Sequence, residues 1–345
     1  MITAARIVAP QQISLTEQDD HRPAPDGVVV DVASCGICAT DVHAWVAGPG
    51  PLPSAVFGHE WTGTVSAVGG EVEGVRVGQR VAAAVGLPCG RCAQCRAGFA
   101  DHCDLVFAEA NGVGPQAGTH GGFATQLRVP ARRVLAIPDD LPDEAAALLE
   151  PTAVTFHAVR RTAPAPGAVV VVQGAGPIGL LTAAHARATG AGRVLLADPV
   201  AARRDLARAV GFADVADPAG LPELVEQASG GLGADVLFEC TGVADLLHPS
   251  TTLVRRGGTL SLLGYTSRPS QVVYGEWQFR ELRVVSSLVY GHADVLGALQ
   301  ALRSGVVRAD LLHTGTVSLT DLQETLEVLR AGGSGHVKVL VDPRR

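Results

Sequence analysis

VVVVQGAGPIG, residues 169–179, is the stretch on which the fold turns. Four consecutive valines read as a buried strand of a parallel sheet, where both faces are covered and polar alternation disappears. Gly174, Gly176 and Gly179 then form G-x-G-x-x-G where IGLLTAAHARATG takes over with helical spacing. The first glycine permits a tight turn, the second lets backbone approach a pyrophosphate, and the third lets the helix pack closely on the strand. Pro177 and Ile178 open that helix, whose N-terminus favours phosphate. Asp198 closes the next strand, RVLLAD. A carboxylate at that place accepts both ribose hydroxyls of NAD and repels the 2′-phosphate of NADP. Arg203, a candidate cofactor contact, and Arg204 keep NADP open as the alternative. A glycine turn that binds no nucleotide is the structural alternative.

Outward from this stretch, strand and helix alternate: AARRDLARAVG, ADVLFECTG, a further helix-like segment, and GGTLSLLGY. Alternation of this kind implies right-handed βαβ units and a doubly wound parallel sheet, here over residues 153–290. Upstream, residues 1–152 read instead as mostly β, with short strands VVVDVAS (28–34), GTVSAVG (63–69) and QRVAAAV (79–85) bounded by Gly, Pro or Asp. In PDDLPDEAAALLE, Asp139–Asp143 can open a short helix before the pattern changes. Residues 291–345 hold a helical run, DVLGALQALRSG, and a final strand, HVKVLVD; pattern alone does not say which domain receives them. The 345 residues suit about two domains of roughly 150 residues each.

A net charge of −7 and no basic run beyond arginine pairs exclude a nucleic-acid partner, whose phosphates need a positive face. Lys338 is the only lysine, and Schiff-base chemistry resting on it is set aside. MITAARIVAPQQ lacks the charged start and apolar run of a secretory signal. AVVVV at 168–172 is too short to span a bilayer. The expectation is a cytoplasmic protein with a small-molecule partner and no membrane partner. In that compartment, cysteine clusters mean metal or redox chemistry more often than disulfides.

Four of the seven cysteines, Cys89, Cys92, Cys95 and Cys103, lie in CGRCAQCRAGFADHC. Four thiolates suit tetrahedral zinc and leave no position for water or substrate. An iron–sulfur cluster is the rival, since the first three spacings match a ferredoxin run, but the fourth gap is too long. A second, dispersed set comprises Cys38, Thr40, Asp41 and His43 in CGICATDVH, with His59 and Glu60 in FGHEW. Thiolate and imidazole make two good zinc ligands; an open catalytic site needs a third from elsewhere. Cys35 with Cys38 also makes C-x-x-C, a redox spacing that belongs on a helix N-terminus in a thioredoxin-like setting. The surroundings here read as all-β.

These motifs, in this order, with EPTAV, FECTG and GGTLSLLGY, make the chain resemble the zinc-dependent medium-chain dehydrogenases of the alcohol dehydrogenase superfamily over nearly its whole length. The sorbitol-, butanediol- and threonine-dehydrogenase-like members are the nearest in motif. The resemblance implies an α/β protein: a GroES-like mostly-β catalytic domain (1–152) with a structural zinc lobe (89–103), a Rossmann domain (153–290), and a segment (291–345) returning to the catalytic domain. It supplies Glu150 as the third catalytic zinc ligand beside Cys38 and His59, with Asp41 holding the far ring nitrogen of His59 and Glu60 beside the metal as a transient or water-bridged ligand. It assigns Thr40 to the substrate hydroxyl and His43 to the solvent end of a proton relay. It implies two zinc ions and NAD per chain, a homodimer or homotetramer formed by paired sheet edges such as RVVSSLVYG (283–291), and oxidation of a secondary alcohol to a ketone. An NADPH-dependent carbonyl reductase is the alternative, and a non-catalytic nucleotide-binding protein the remaining one. Gln79 and Ala39 depart from residues common in the family. Cys35 and Cys240 match no ligand position and read as buried thiols.

Overall fold

The computed structural model describes residues 1–49, 56–85, 87–106 and 121–345. The chain divides into two compact units. The first comprises Met1–Glu150, Tyr290–Leu299 and His313–Arg345; the second, Pro151–Val289 and Gln300–Leu312. Residues 291–345 are therefore shared rather than returning as one piece. Val307 and Leu312 stay with the second unit because they close a small cavity with Leu180, Val210 and Phe212.

The second unit is built on six parallel strands, lying side by side as Val215–Ala216, Arg193–Ala197, Val169–Gln173, Ala234–Glu239, Val254–Leu262 and Arg283–Ser286. The chain enters at Val169–Gln173 in the interior, winds to one edge, returns and winds to the other. This is the doubly wound α/β arrangement that the valine run implied. Val170, Val171 and Val172 are completely buried, as strands covered on both faces must be.

The first unit is mostly β. Its seven-stranded sheet runs His313–Ser318, Lys338–Asp342, Gly27–Gly36, Glu60–Val68, Arg80–Ala83, Val134–Ala136, with Gln126–Pro130 also paired to Gly27–Gly36. A hairpin of Ile2–Ala9 and Gln12–Gln18 adds a second, two-stranded sheet. Val28, Val30, Val32, Trp45, Trp61, Phe123, Leu322, Val339 and Val341 form the main core. Trp45 belongs to that core, its Nε1 donating to Gln323 Oε1 at 3.3 Å. One boundary differs from the local reading. The strand expected from Gly63 starts at Glu60, because a buried charge there finds a partner 278 residues away. The short helix occupies Asp143–Ala146, directly after Pro142, whose ring fixes φ but suits a helix entry.

Candidate active site and metal centres

Cys38 precedes the helix Ala39–Ala47, and Asp41 in its first turn organises everything around it. One carboxylate oxygen of Asp41 accepts from the Cys38 backbone N–H at 2.9 Å. The other accepts from the Gly58 N–H at 3.2 Å and lies 3.6 Å from His59 Nδ1. A single buried carboxylate thus caps the helix, fixes the entry into Glu60–Val68 and orients the imidazole, the kind of support a metal-ligating histidine needs. Gly58 sits at φ +89°, and a Cβ there would lie 2.9–3.0 Å from the Phe123 ring and the Cys35 sulfur. Only glycine fits that approach.

Donor atoms of Cys38, His59 and Glu60 all lie within 4.8 Å of one another. Glu150 stands outside this trio, in the first turn of the helix Leu149–Thr162, yet its charge is felt by it. Desolvation pushes the Glu150 carboxyl up to about 7; His59 opposes this and Glu60 reinforces it. Burial works against a charged His59, but Asp41 and Cys38 overcome it and hold the imidazole well above its ordinary range. The donor set is therefore soft sulfur, imidazole and carboxylate in a partly buried, anion-rich cluster. A divalent zinc ion fits it chemically.

The remaining residues of the dispersed set lie on the same helix. Thr40 is exposed, its Oγ1 3.5 Å from Cys38 Sγ. His43 is also exposed, one turn further along, so the two share a face.

Cys89, Cys92, Cys95 and Cys103 also bring four donor sulfurs within 4.8 Å of one another. Backbone N–H groups support the sulfurs: Cys92 donates to Cys89 Sγ at 3.4 Å, Cys95 to Cys92 Sγ at 3.4 Å, and Cys89 to Cys103 Sγ at 3.3 Å. Such donors at Arg91 and Cys92 hold the Cys89 thiol below its usual range, whereas desolvation and neighbouring thiols push Cys95 up to about 12. Four sulfurs crowded in this way fit a tetrahedral metal, which favours the thiolate form. Cys35 is a buried core thiol, as expected, but Cys240 is only partly buried.

In the second unit the glycine loop takes the shape its sequence demands. Gly174 has φ +94°, and a Cβ on Gly179 would fall 1.7 Å from the Gly174 carbonyl oxygen. A Cβ on Gly176 would meet nothing within 4 Å, so this side of the loop is open for a ligand to approach. Pro177 begins the helix Pro177–Ala188, with Ile178 partly exposed beside it. Asp198 is buried, accepting from Ala175 N at 2.9 Å and Val200 N at 2.8 Å, with Arg203 Nη1 3.8 Å away. Its carboxylate has lone pairs left for two hydroxyls.

Sequence reasoning set Lys338 aside and did not single out Tyr290. Lys338 is fully buried, donating to Glu60 Oε2 at 2.5 Å and Ile37 O at 3.2 Å. A charged residue inside an apolar strand run was the available signal. Tyr290 is buried too, its phenol pushed well up by desolvation and by Glu150; nothing local marked it.

Comparison with known proteins bears on this geometry. Profiles described as "Alcohol dehydrogenase GroES-like domain" and "Zinc-binding dehydrogenase" match residues 24–139 and 177–304. The chain is 32% identical to D-xylulose reductase A of Aspergillus oryzae over 332 residues, covering 91% of this chain and 90% of that one. It is 30% identical to L-threonine 3-dehydrogenase of Edwardsiella ictaluri over 352 residues, covering 98% of both. Among solved structures, a candidate zinc-binding dehydrogenase of Sinorhizobium meliloti bound to NADP matches with TM-score 0.88 and 32% identity, covering 99% of each chain.

Proposed function

The chain belongs to the zinc-binding dehydrogenases of the alcohol dehydrogenase superfamily, and from that premise we propose that it transfers a hydride between NAD and a polar secondary alcohol, giving a ketone. The observation that carries this reading is the partly buried gathering of Cys38, His59 and Glu60 beside Glu150, separate from the four-cysteine cluster. Cys38, His59 and Glu150 would hold a catalytic zinc, and Cys89, Cys92, Cys95 and Cys103 a structural one. When bound, zinc supplies a Lewis acid that lowers the pKa of an alcohol. NAD supplies the hydride acceptor.

The chain's own residues do the rest. Asp41 fixes the tautomer and orientation of His59 through its contact with Nδ1. Thr40 takes a hydrogen bond from the substrate hydroxyl and passes the proton on, with His43 as its outlet to solvent. Gly174, Gly176, Pro177, Ile178 and Gly179 receive the pyrophosphate, and Asp198 the ribose hydroxyls. The relatives act, by their names, on a ketopentose and on a β-hydroxy amino acid; a polyol, a sugar-derived cyclitol or a β-hydroxy amino acid is the substrate class proposed here.

A second reading, an NADPH-dependent carbonyl reductase, draws support from Arg203 standing beside Asp198 and from the NADP-bound relative. Self-association into a dimer or tetramer is supported by Arg283–Ser286, an edge strand that exposes Val284 and is flanked by exposed Phe279 and Leu288. Clustered free cysteines support a reducing compartment such as the cytoplasm. Among the described residues no helix is long and apolar enough to cross a membrane.

The test is NADH formation against polyols, simple secondary alcohols, cyclitols and β-hydroxy amino acids, repeated with Glu150→Ala. Activity on one class, lost in the variant, is the expected outcome. Activity that survives the variant would remove Glu150 from the ligand set, and activity with NADP(H) alone would favour the reductase.

A further inference from the structure

Lys338 and Glu60 form an ion pair with both side chains fully buried, 2% and 1% exposed. Such a pair is a poor way to stabilise a sheet, because desolvating each ion costs several kcal/mol and apolar residues of similar size often serve better. Its position suggests another use. The strand Lys338–Asp342 pairs with Gly27–Gly36 through Leu340 and Gly36, and Gly36 in turn faces Glu60 on the other side. A Cβ on Gly36 would lie 2.0 Å from Glu60 Oε2, so glycine alone leaves room for the carboxylate to lie there. Over that gap the ammonium reaches Glu60, next to His59, and the Ile37 carbonyl, next to Cys38.

Glu60 is also the one carboxylate whose oxygen stands within 4.8 Å of both the Cys38 and His59 donors among the described residues. A metal held by Cys38, His59 and Glu150 would thus find a fourth protein ligand at hand, and four protein ligands close a zinc site to substrate. We propose that Lys338 is a positioning residue that keeps this site open: its ammonium engages the Glu60 carboxylate and holds it off the metal, leaving the fourth position to the alcohol. This rests on the metal site proposed above. The single lysine of the chain acts through Glu60 and touches no reacting atom.

The experiment loads the full-length protein with cobalt(II) and titrates thiocyanate, an exogenous ligand that needs an open position, following the visible absorption of the cobalt. Lys338→Met is compared with Lys338→Met/Glu60→Gln, which removes both charges and leaves no buried ion unpaired, and with Lys338→Arg. The proposal expects Lys338→Met to weaken thiocyanate binding about tenfold or more, the double variant to restore it, and Lys338→Arg to stay near the starting affinity. Unchanged binding in Lys338→Met overturns the role of Lys338 while leaving the metal site intact. Failure of the double variant to restore binding overturns it equally, since the loss would then not run through Glu60. A starting protein whose cobalt spectrum ignores thiocyanate overturns the open metal site itself, and the inference with it.

Discussion

The two units bury polar groups for opposite ends. In the first, Asp41, Glu60 and Lys338 are all buried around the sulfur and imidazole donors, so its interior carries charge that a metal would help to balance. In the second, the buried carboxylates beside the glycine loop are held by backbone N–H groups instead, Asp198 by Ala175 and Val200 and Glu239 by Thr241 and Gly242. That unit's buried His185 is held neutral, its pKa lowered to about 4 by desolvation, with Nε2 3.3 Å from the Thr152 carbonyl. A dinucleotide held at the glycine loop, as proposed, would need little charge there, because backbone N–H groups and a helix terminus would bind it. A metal site needs charged side chains brought from afar, and these must be held against their own repulsion.

Removing a donor from the charged interior gives the largest expected effect. Cys38→Ser lowers kcat/KM about a thousandfold or more and takes one zinc per chain with it. Cys95→Ser removes the other zinc and lowers Tm by about 5 °C or more, with kcat at low temperature nearly kept. Metal analysis beside kinetics checks both; equal loss of activity in the two variants would erase the distinction between the centres.

In the second unit the sensitive atoms are backbone. Gly179→Ala, whose Cβ would strike the Gly174 carbonyl, costs about 3 kcal/mol or more by urea unfolding. Gly176→Ala, facing open space, leaves stability unchanged and raises the KM for NAD. Equal stability in the two variants would mean that the loop is looser than its geometry.

His185 sharpens the contrast through pH. Its folded pKa, about 4, lies below the ordinary 6.5, so the unfolded chain takes up the proton first as pH falls. Stability is full above about pH 6.5 and declines toward pH 4, by about 3 kcal/mol in all. His185→Gln, which cannot titrate, should flatten that decline in urea midpoints measured at pH 7 and pH 5. An unchanged slope would assign the loss to other groups.

The smallest expected effect is at the ribose. Asp198→Ala should shift the ratio of kcat/KM for NAD over NADP down by about tenfold or more, since a hydrogen bond to a charged group is worth ~1.5–3 kcal/mol. A ratio that does not move removes Asp198 as the ribose ligand.

Much of this was legible beforehand, unevenly. The glycine loop, its strand and helix and Asp198 lie within thirty residues, and local sterics dictate them. The four cysteines of the lobe are equally local. Cys38, His59 and Asp41 could be named as candidates, but Glu150 entered only through family resemblance, because nothing around EPTAV says what its carboxylate faces. The start of Glu60–Val68 was misplaced for the same reason: a glutamate reads as a solvated edge until its lysine is known. Likewise Gln300–Leu312 could not be assigned to a unit, since amphipathic spacing says that a face is buried and not against what.

The sequence by itself determined the doubly wound sheet, the glycine turn and the four-sulfur cluster, because each is written in residues close enough to constrain one another through backbone geometry. Only the tertiary structure decided that Lys338, Glu60, Gly36 and Ile37 meet. Their encounter depends on the register of three strands drawn from both ends of the chain. No local preference encodes that register; it is fixed by burying the apolar faces of those strands in one core.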